Sequence, residues 1–161
     1  MKTIQDAICG QEDLSRLSPE EQALSVFYGA FNNRDLKKMA QSWAQSPDVI
    51  EVNPLGGIRY GWPEIEKMYE AIFTGPAEVY VEFFDYSIHE LGDMFYAVGR
   101  ERGEARMGDT VIPLAIRTSR VFQRIEGQWR QVHHSGSIED PQTLAAYQSA
   151  MRSTEGMIIT P

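Results

Sequence analysis

The chain has 161 residues, enough for one domain with a substantial core and too few for two of ordinary size. Its formal net charge is −8, from 23 acidic and 15 basic residues, which argues against a nucleic-acid partner because an acidic surface repels phosphate. No apolar run approaches the ~20 residues that cross a membrane. The lone Cys9 allows no internal disulfide, and the polar start Met1–Cys9 lacks the apolar segment of a secretory signal, so a cytoplasmic location is expected.

Residues 1–17 are mixed and polar, with weak helical periodicity, and read as a loosely attached N-terminal arm or short helix. A helix start follows: Ser18 can cap, Pro19 suits the first helical position and Glu21 completes a capping box. Leu24, Phe27, Tyr28 and Phe31 then form one apolar stripe at helical spacing. Asp35 caps a second helix carrying Leu36, Met39, Ala40 and Trp43. Short strands over 49–53 and 58–60 flank the turn Pro54-Leu55-Gly56-Gly57 and predict a small hairpin. Gly61-Trp62-Pro63 opens a third helix, striped by Ile65, Met68, Tyr69, Ile72 and Phe73 and stopped at Thr74-Gly75-Pro76.

Beyond residue 76 the period falls from 3.6 to 2. Residues 77–88, 94–105, 111–125 and 128–137 read as four long strands, and their short turns require antiparallel neighbours. Asp140-Pro141 starts a closing helix with Leu144, Tyr147 and Met151, followed by a tail to Pro161. The expected organisation is thus an arm (1–17), a domain (18–137) and a C-terminal helix with tail (138–161). Helices segregated to one face of an antiparallel sheet define the α+β class.

One series of residues is familiar in its order. Ala30-Phe31-Asn32-Asn33-Arg34-Asp35-Leu36, Trp43, Val52-Asn53-Pro54-Leu55-Gly56-Gly57, Gly61, Ile65 and Tyr69 come first. Arg117-Thr118-Ser119-Arg120-Val121-Phe122 and Gly127-Gln128-Trp129-Arg130-Gln131-Val132-His133 follow. Over about residues 20–137 the chain resembles the SnoaL-like and ketosteroid-isomerase-like branch of the nuclear transport factor 2-like superfamily. The resemblance implies a cone-shaped curved sheet wrapped around three N-terminal helices, a deep pocket, and a homodimer formed through the outer sheet face. It leaves the activity open, because members include isomerases, polyketide cyclases, dehydratases, ligand binders and association domains. The steroid isomerases' general-base aspartate falls at Asn53, their oxyanion tyrosine near Phe27 or Tyr28, and their second aspartate near Thr118 or Ser119. An amide cannot accept a proton at neutral pH, so the chain is not read as a standard ketosteroid isomerase.

Candidate chemistry follows from strand faces. Glu51 and Asn53 share one face of a short strand, and a buried Glu51 would be a base; the competing reading has both facing solvent. Arg117 and Ser119 share a face of a later strand. Arg117 would pair with Glu51, bind a ligand carboxylate, or sit as an exposed strand charge. The family pattern puts His133, with Gln131, Ser135 and Ser137, on the inner face, where its unperturbed pKa of about 6.5 suits acid–base work; otherwise it is a hydrogen-bonded core histidine. Tyr28, Trp43, Tyr69, Phe73, Tyr96 and Trp129 either line an apolar cavity or simply fill the core. His133 and His134 are adjacent, so they point to opposite faces and cannot chelate one metal; no CxxC or HxH spacing exists, and neither metal nor cofactor is expected.

Two functions remain open. One is a pocket protein binding or transforming a small apolar, possibly anionic, organic ligand by proton transfer as an isomerase, cyclase or dehydratase, with Glu51 and His133 catalytic and Tyr28, Trp43, Asn53, Tyr96, Arg117 and Ser119 binding. The other is a non-catalytic homodimerisation or association module whose pocket is closed by side chains.

Overall fold

The computed structural model describes residues 3–4 and 6–152; the expected tail from residue 153 lies outside them. Ser18 caps α1 (Pro19–Asn32) by the reciprocal bonds that the capping box requires: its hydroxyl accepts from Glu21 N at 3.2 Å, and the Glu21 carboxylate accepts from Ser18 N at 2.8 Å. Leu24, Phe27 and Tyr28 are buried along one side of α1. Asp35 caps α2 (Leu36–Ser42) through Lys38 N at 2.9 Å. Gly61 and Pro63 open α3 (Trp62–Thr74). Carbonyls at and just beyond the end of α3 need donors, and Arg34 supplies them, its guanidinium donating to Ile72, Gly75 and Ala77 oxygens at 3.2, 2.7 and 2.8 Å.

The strands are β1 (Thr3–Ile4), β2 (Ile50–Val52), β3 (Ile58–Tyr60), β4 (Glu78–Leu91), β5 (Met94–Met107), β6 (Thr110–Ile125) and β7 (Gln128–Ile138). They form one sheet in the order β1-β4-β5-β6-β7-β2-β3. The β4–β7 meander is antiparallel throughout, as its short turns demand. The β2 strand joins its far edge in parallel with β7, registering Glu51 with His134. The long connection through β3, α3 and the meander is what permits that parallel pairing.

Two irregularities curve the sheet. One lies in β4 between Phe84 and Ser87, where Asp85 takes a positive φ of 47°. The other lies in β7: Val121 faces His133 and Phe122 faces Gln131, so Val132 is an extra residue without a partner. On β5, a side chain at Gly103 would sit 1.9 Å from the Tyr80 carbonyl oxygen, so only glycine lets β4 approach so closely. The helices α1 to α3 fill the concave face, burying Phe27, Met39, Trp43, Ile65, Tyr69 and Ile72 against Phe83, Phe95 and Phe122. The closing helix α4 (Pro141–Arg152) buries Tyr147 and Met151. Helices on one face of a curved, mainly antiparallel sheet confirm the α+β class.

The segment between β1 and α1 is seated on the body and not loosely attached as expected, because buried side-chain and backbone bonds hold it there. Ile8 is buried and exchanges two 2.8 Å backbone bonds with Phe83. The Glu12 carboxylate accepts from Cys9 N at 2.6 Å, Gly10 N at 2.9 Å and Ser25 Oγ at 2.5 Å. Burial would raise the Glu12 pKa, but these donors hold it below its ordinary value. Gly10 adopts φ +94°, and a Cβ there would lie 2.1 Å from Gly29 Cα. Gly10→Ala should therefore destabilise the protein by at least about 2 kcal/mol, through strain and a backbone clash. Urea denaturation checks this, and an unchanged midpoint would show that the arm contributes nothing to the fold.

Candidate functional site

The inward faces of four adjacent strands converge under the helices. The β2 strand contributes Glu51, β5 Glu101, β6 Thr118 and Arg120, and β7 Gln131 and His134; all six residues are at most 4% exposed. Tyr28 descends from α1, and Tyr69 from α3.

Two hydrogen-bonded groups result. In the first, all three guanidinium nitrogens of Arg120 are engaged. Its Nη2 donates to Glu101 Oε1 at 2.8 Å, its Nη1 to Gln131 Oε1 at 2.9 Å and its Nε to Tyr28 Oη at 3.1 Å. The guanidinium carbon also lies 3.7 Å from the centroid of the Phe27 ring, a cation–π contact. Tyr28 Oη donates to the same Glu101 oxygen at 2.7 Å. Burial alone would raise the Glu101 pKa, but Arg120 and, secondarily, His134 and the Tyr28 hydroxyl hold it below its ordinary value. Burial pushes the Tyr28 hydroxyl well above its ordinary pKa against the pull of Arg120. Arg120 and Glu101 are a fixed ion pair, and Tyr28 is a neutral donor.

The second group is a chain from Glu51 to Thr118. His134 Nδ1 lies 2.7 Å from Glu51 Oε1, and His134 Nε2 lies 2.7 Å from Thr118 Oγ1. Thr118 also reaches the Ser135 carbonyl at 3.3 Å. The hydroxyl can rotate, donating to Nε2 or accepting from it while donating to Ser135, so the chain tolerates either protonation state of His134. The second carboxylate oxygen, Glu51 Oε2, is buried with no hydrogen-bond partner among the described residues. Burial pushes the nearby Tyr69 hydroxyl well above its ordinary pKa, and the Glu51 charge adds to that.

Glu51, Glu101, Arg120 and His134 border a cavity of about 40 Å³, walled otherwise by apolar side chains and Asn53. That volume admits water but falls far below the ~300 Å³ of a typical ligand site. Tyr147 of α4 forms part of its wall, and α4 is tied down where Gln148 Nε2 donates to the Leu55 carbonyl at 2.8 Å.

The sequence pattern of the SnoaL-like domain matches residues 21–141. The chain belongs to the SnoaL-like domain family. Solved structures agree in fold. A Salmonella enterica serovar Typhimurium protein of the nuclear transport factor 2-like superfamily superposes with a TM-score of 0.67 at 20% identity, covering 76% of this chain and 91% of that one. A Streptomyces avermitilis protein provisionally named a dehydratase of the same superfamily gives 0.64 at 23% identity, with 72% and 90% covered. A Thiobacillus denitrificans protein provisionally named a calcium/calmodulin-dependent protein kinase type II association domain gives 0.61 at 25% identity, with 76% and 96% covered. No functionally curated sequence matches the chain.

Within this SnoaL-like domain, the expected candidates separate by sheet face. Glu51 points inward as expected, and Asn53 borders the cavity, its carbonyl oxygen accepting from Leu55 N at 2.8 Å to set the turn. Tyr28 is in the Arg120 group, and Trp43 is buried at the end of α2 against Trp62 and Tyr69. The other four candidates lie on the outer face. Arg117 pairs with Glu139 at 2.9 Å with both side chains 59% exposed, so it is an external strand charge and not a pocket cation. Ser119, on the same face of β6, goes outward with it. Tyr96 stacks on His89 outside, ring centroids 4.6 Å apart. His133 also departs from the expected inner face. The extra residue Val132 breaks the alternation after Gln131, so His134 turns inward in its place.

Three inward residues outside the expected set, Thr118, Arg120 and Glu101, carry a readable signal. Ile112, Leu114, Ile116 and Phe122 fix the buried phase of β6, and that phase includes positions 118 and 120. Phe95, Ala97 and Ala105 do the same for Glu101 on β5.

Proposed function

We propose that this SnoaL-like domain binds a small, mostly apolar, uncharged organic molecule and shifts a proton on it. Glu51 is the base and His134, in place of His133, orients it. The observation that carries this reading is Glu51 Oε2, a buried carboxylate oxygen with no partner among the described residues beside the cavity, while Oε1 is held by His134. In an isomerisation, Oε2 takes a proton from one carbon of the ligand and returns it to another, so nothing is consumed. The provisional naming of the Streptomyces protein as a dehydratase supports the same class of chemistry. An anionic ligand fits poorly, because the Arg120 charge is already paired with the buried Glu101 carboxylate and Arg117 lies outside.

The test is a thermal-shift panel of small uncharged ketones and phenols, each paired with a carboxylate analogue. A ligand at 100 times its Kd adds about 2.7 kcal/mol, or several degrees at roughly 2–4 °C per kcal/mol. An uncharged hit whose carbon-bound hydrogens exchange with D₂O in wild type but not in Glu51→Gln is the expected result. Hits confined to carboxylates, or exchange that persists in Glu51→Gln, would overturn the assignment.

A second reading has its own support. A cavity of about 40 Å³ is what an association module would have, and the Thiobacillus protein is provisionally named one. In that case no ligand shifts the midpoint, and self-association through the outer sheet face carries the function. A homodimer is part of both readings, and light scattering at micromolar concentration tests it.

A further inference from the structure

A cleft of about 610 Å³ lies away from the buried cavity and shares no residue with it. It is bounded by the first turns of α1, the end of α2 and the β6–β7 turn. Ala23 and Val26, the latter 41% exposed, give it an apolar floor. Arg124, Trp129 and Arg130 stand over that floor.

The charge pattern there is unusual for this chain. Among the described residues, five other arginines of the sheet, Arg100, Arg102, Arg106, Arg117 and Arg120, each hold a carboxylate. Arg124 and Arg130 hold none among those residues, although acidic residues outnumber basic ones 23 to 15 in the chain. Both are nevertheless positioned. The Arg124 guanidinium lies 4.5 Å over the Trp129 ring, and Arg130 Nη1 donates to the Gln41 carbonyl. Stacking uses the face of a guanidinium and one carbonyl uses one of its N–H groups, so both keep donors free in the geometry that grips a carboxylate. The cleft also falls in the ~300–1,000 Å³ range of small-molecule sites.

We propose that this cleft is a second ligand site, for a planar aromatic carboxylate whose anionic end lies between Arg124 and Arg130 and whose ring lies on Val26 and Trp129. The site is independent of the proton-transfer reading: it does not involve Glu51, and it favours an anion where the inner cavity does not.

Calorimetric titration with 2-naphthoate tests it, with 2-naphthamide as the uncharged control. The expected result is saturable binding of the naphthoate, at least about tenfold tighter than the amide, since one charge-assisted bond is worth about that factor. Arg124→Gln and Arg130→Gln should each weaken naphthoate by about tenfold or more, and added salt should weaken it further. The Trp129 indole N–H resonance should shift on titration while those of Trp43 and Trp62, buried elsewhere, stay in place and report an intact fold. No binding in the millimolar range, equal binding of amide and carboxylate, or unchanged affinity in both arginine variants would each overturn the proposal.

Discussion

Glu101→Ala should cost about 3–5 kcal/mol of stability, because it strands the buried Arg120 guanidinium without its anion. Glu101 and Arg120 are 4% and 2% exposed, so water cannot replace the lost partner. For a domain of this size the melting midpoint should fall by about 6–20 °C, and urea denaturation with an unchanged slope should give the same free energy. The pH dependence supplies an internal check. The folded Glu101 pKa lies below its ordinary 4.5 because Arg120 and the Tyr28 hydroxyl outweigh burial. As pH falls, the unfolded chain therefore binds this proton first. The stabilisation is complete above about pH 4.5 and is lost as pH falls through the lower folded value. The gap between wild type and Glu101→Ala should be widest near neutrality and should narrow in acid, where wild-type Glu101 is itself protonated. A gap that stays constant down to about pH 3 would mean that Glu101 contributes packing and not charge.

The frame of this molecule was open to reading because its signals are local. Ser18 and Glu21 cap α1 within one turn, Asp35 does so for α2, and the change from period 3.6 to 2 after Pro76 falls where α3 gives way to β4. Segment order then matched the family layout, and the helices and meander appear where the pattern puts them. The parallel seat of β2 beside β7 has no local signal, since it depends on closure over more than 80 residues of chain, the separation of Glu51 and His134.

The site was half legible. Glu51 lies inward on its expected face because β2 is three residues long and has no room to lose phase, and Asn53 follows directly after its end. In β6 the apolar series from Ile112 to Phe122 marks the inward phase, to which Thr118 and Arg120 belong and Arg117 and Ser119 do not. In β7 no pattern available in the sequence announces Val132 as an extra residue. A one-residue bulge reverses every face beyond it, and two adjacent histidines make that reversal decisive.

His134→Leu should cost about 1–3 kcal/mol, because it leaves a buried carboxyl group without its hydrogen-bond partner: Glu51 is 1% exposed, and among the described residues it is held by His134 through Oε1 while Oε2 has no partner. The informative variant is the double replacement His134→Leu with Glu51→Leu. If the pair exists for stability, the double variant should be no better than the single one. If apolar side chains of similar size fill the space, stability should return to near the wild-type level or above it, as happens when buried polar partners are both replaced by packing. We expect the second outcome, because one Glu51 oxygen has no partner to offset its removal from water. A double variant that is stable but no longer responds to the ligand found by thermal shift would mean that the pair is retained at a cost to folding. Such a cost is sustained where the group does chemistry or recognition, and a stable double variant that still binds and exchanges the ligand would remove Glu51 and His134 from the site.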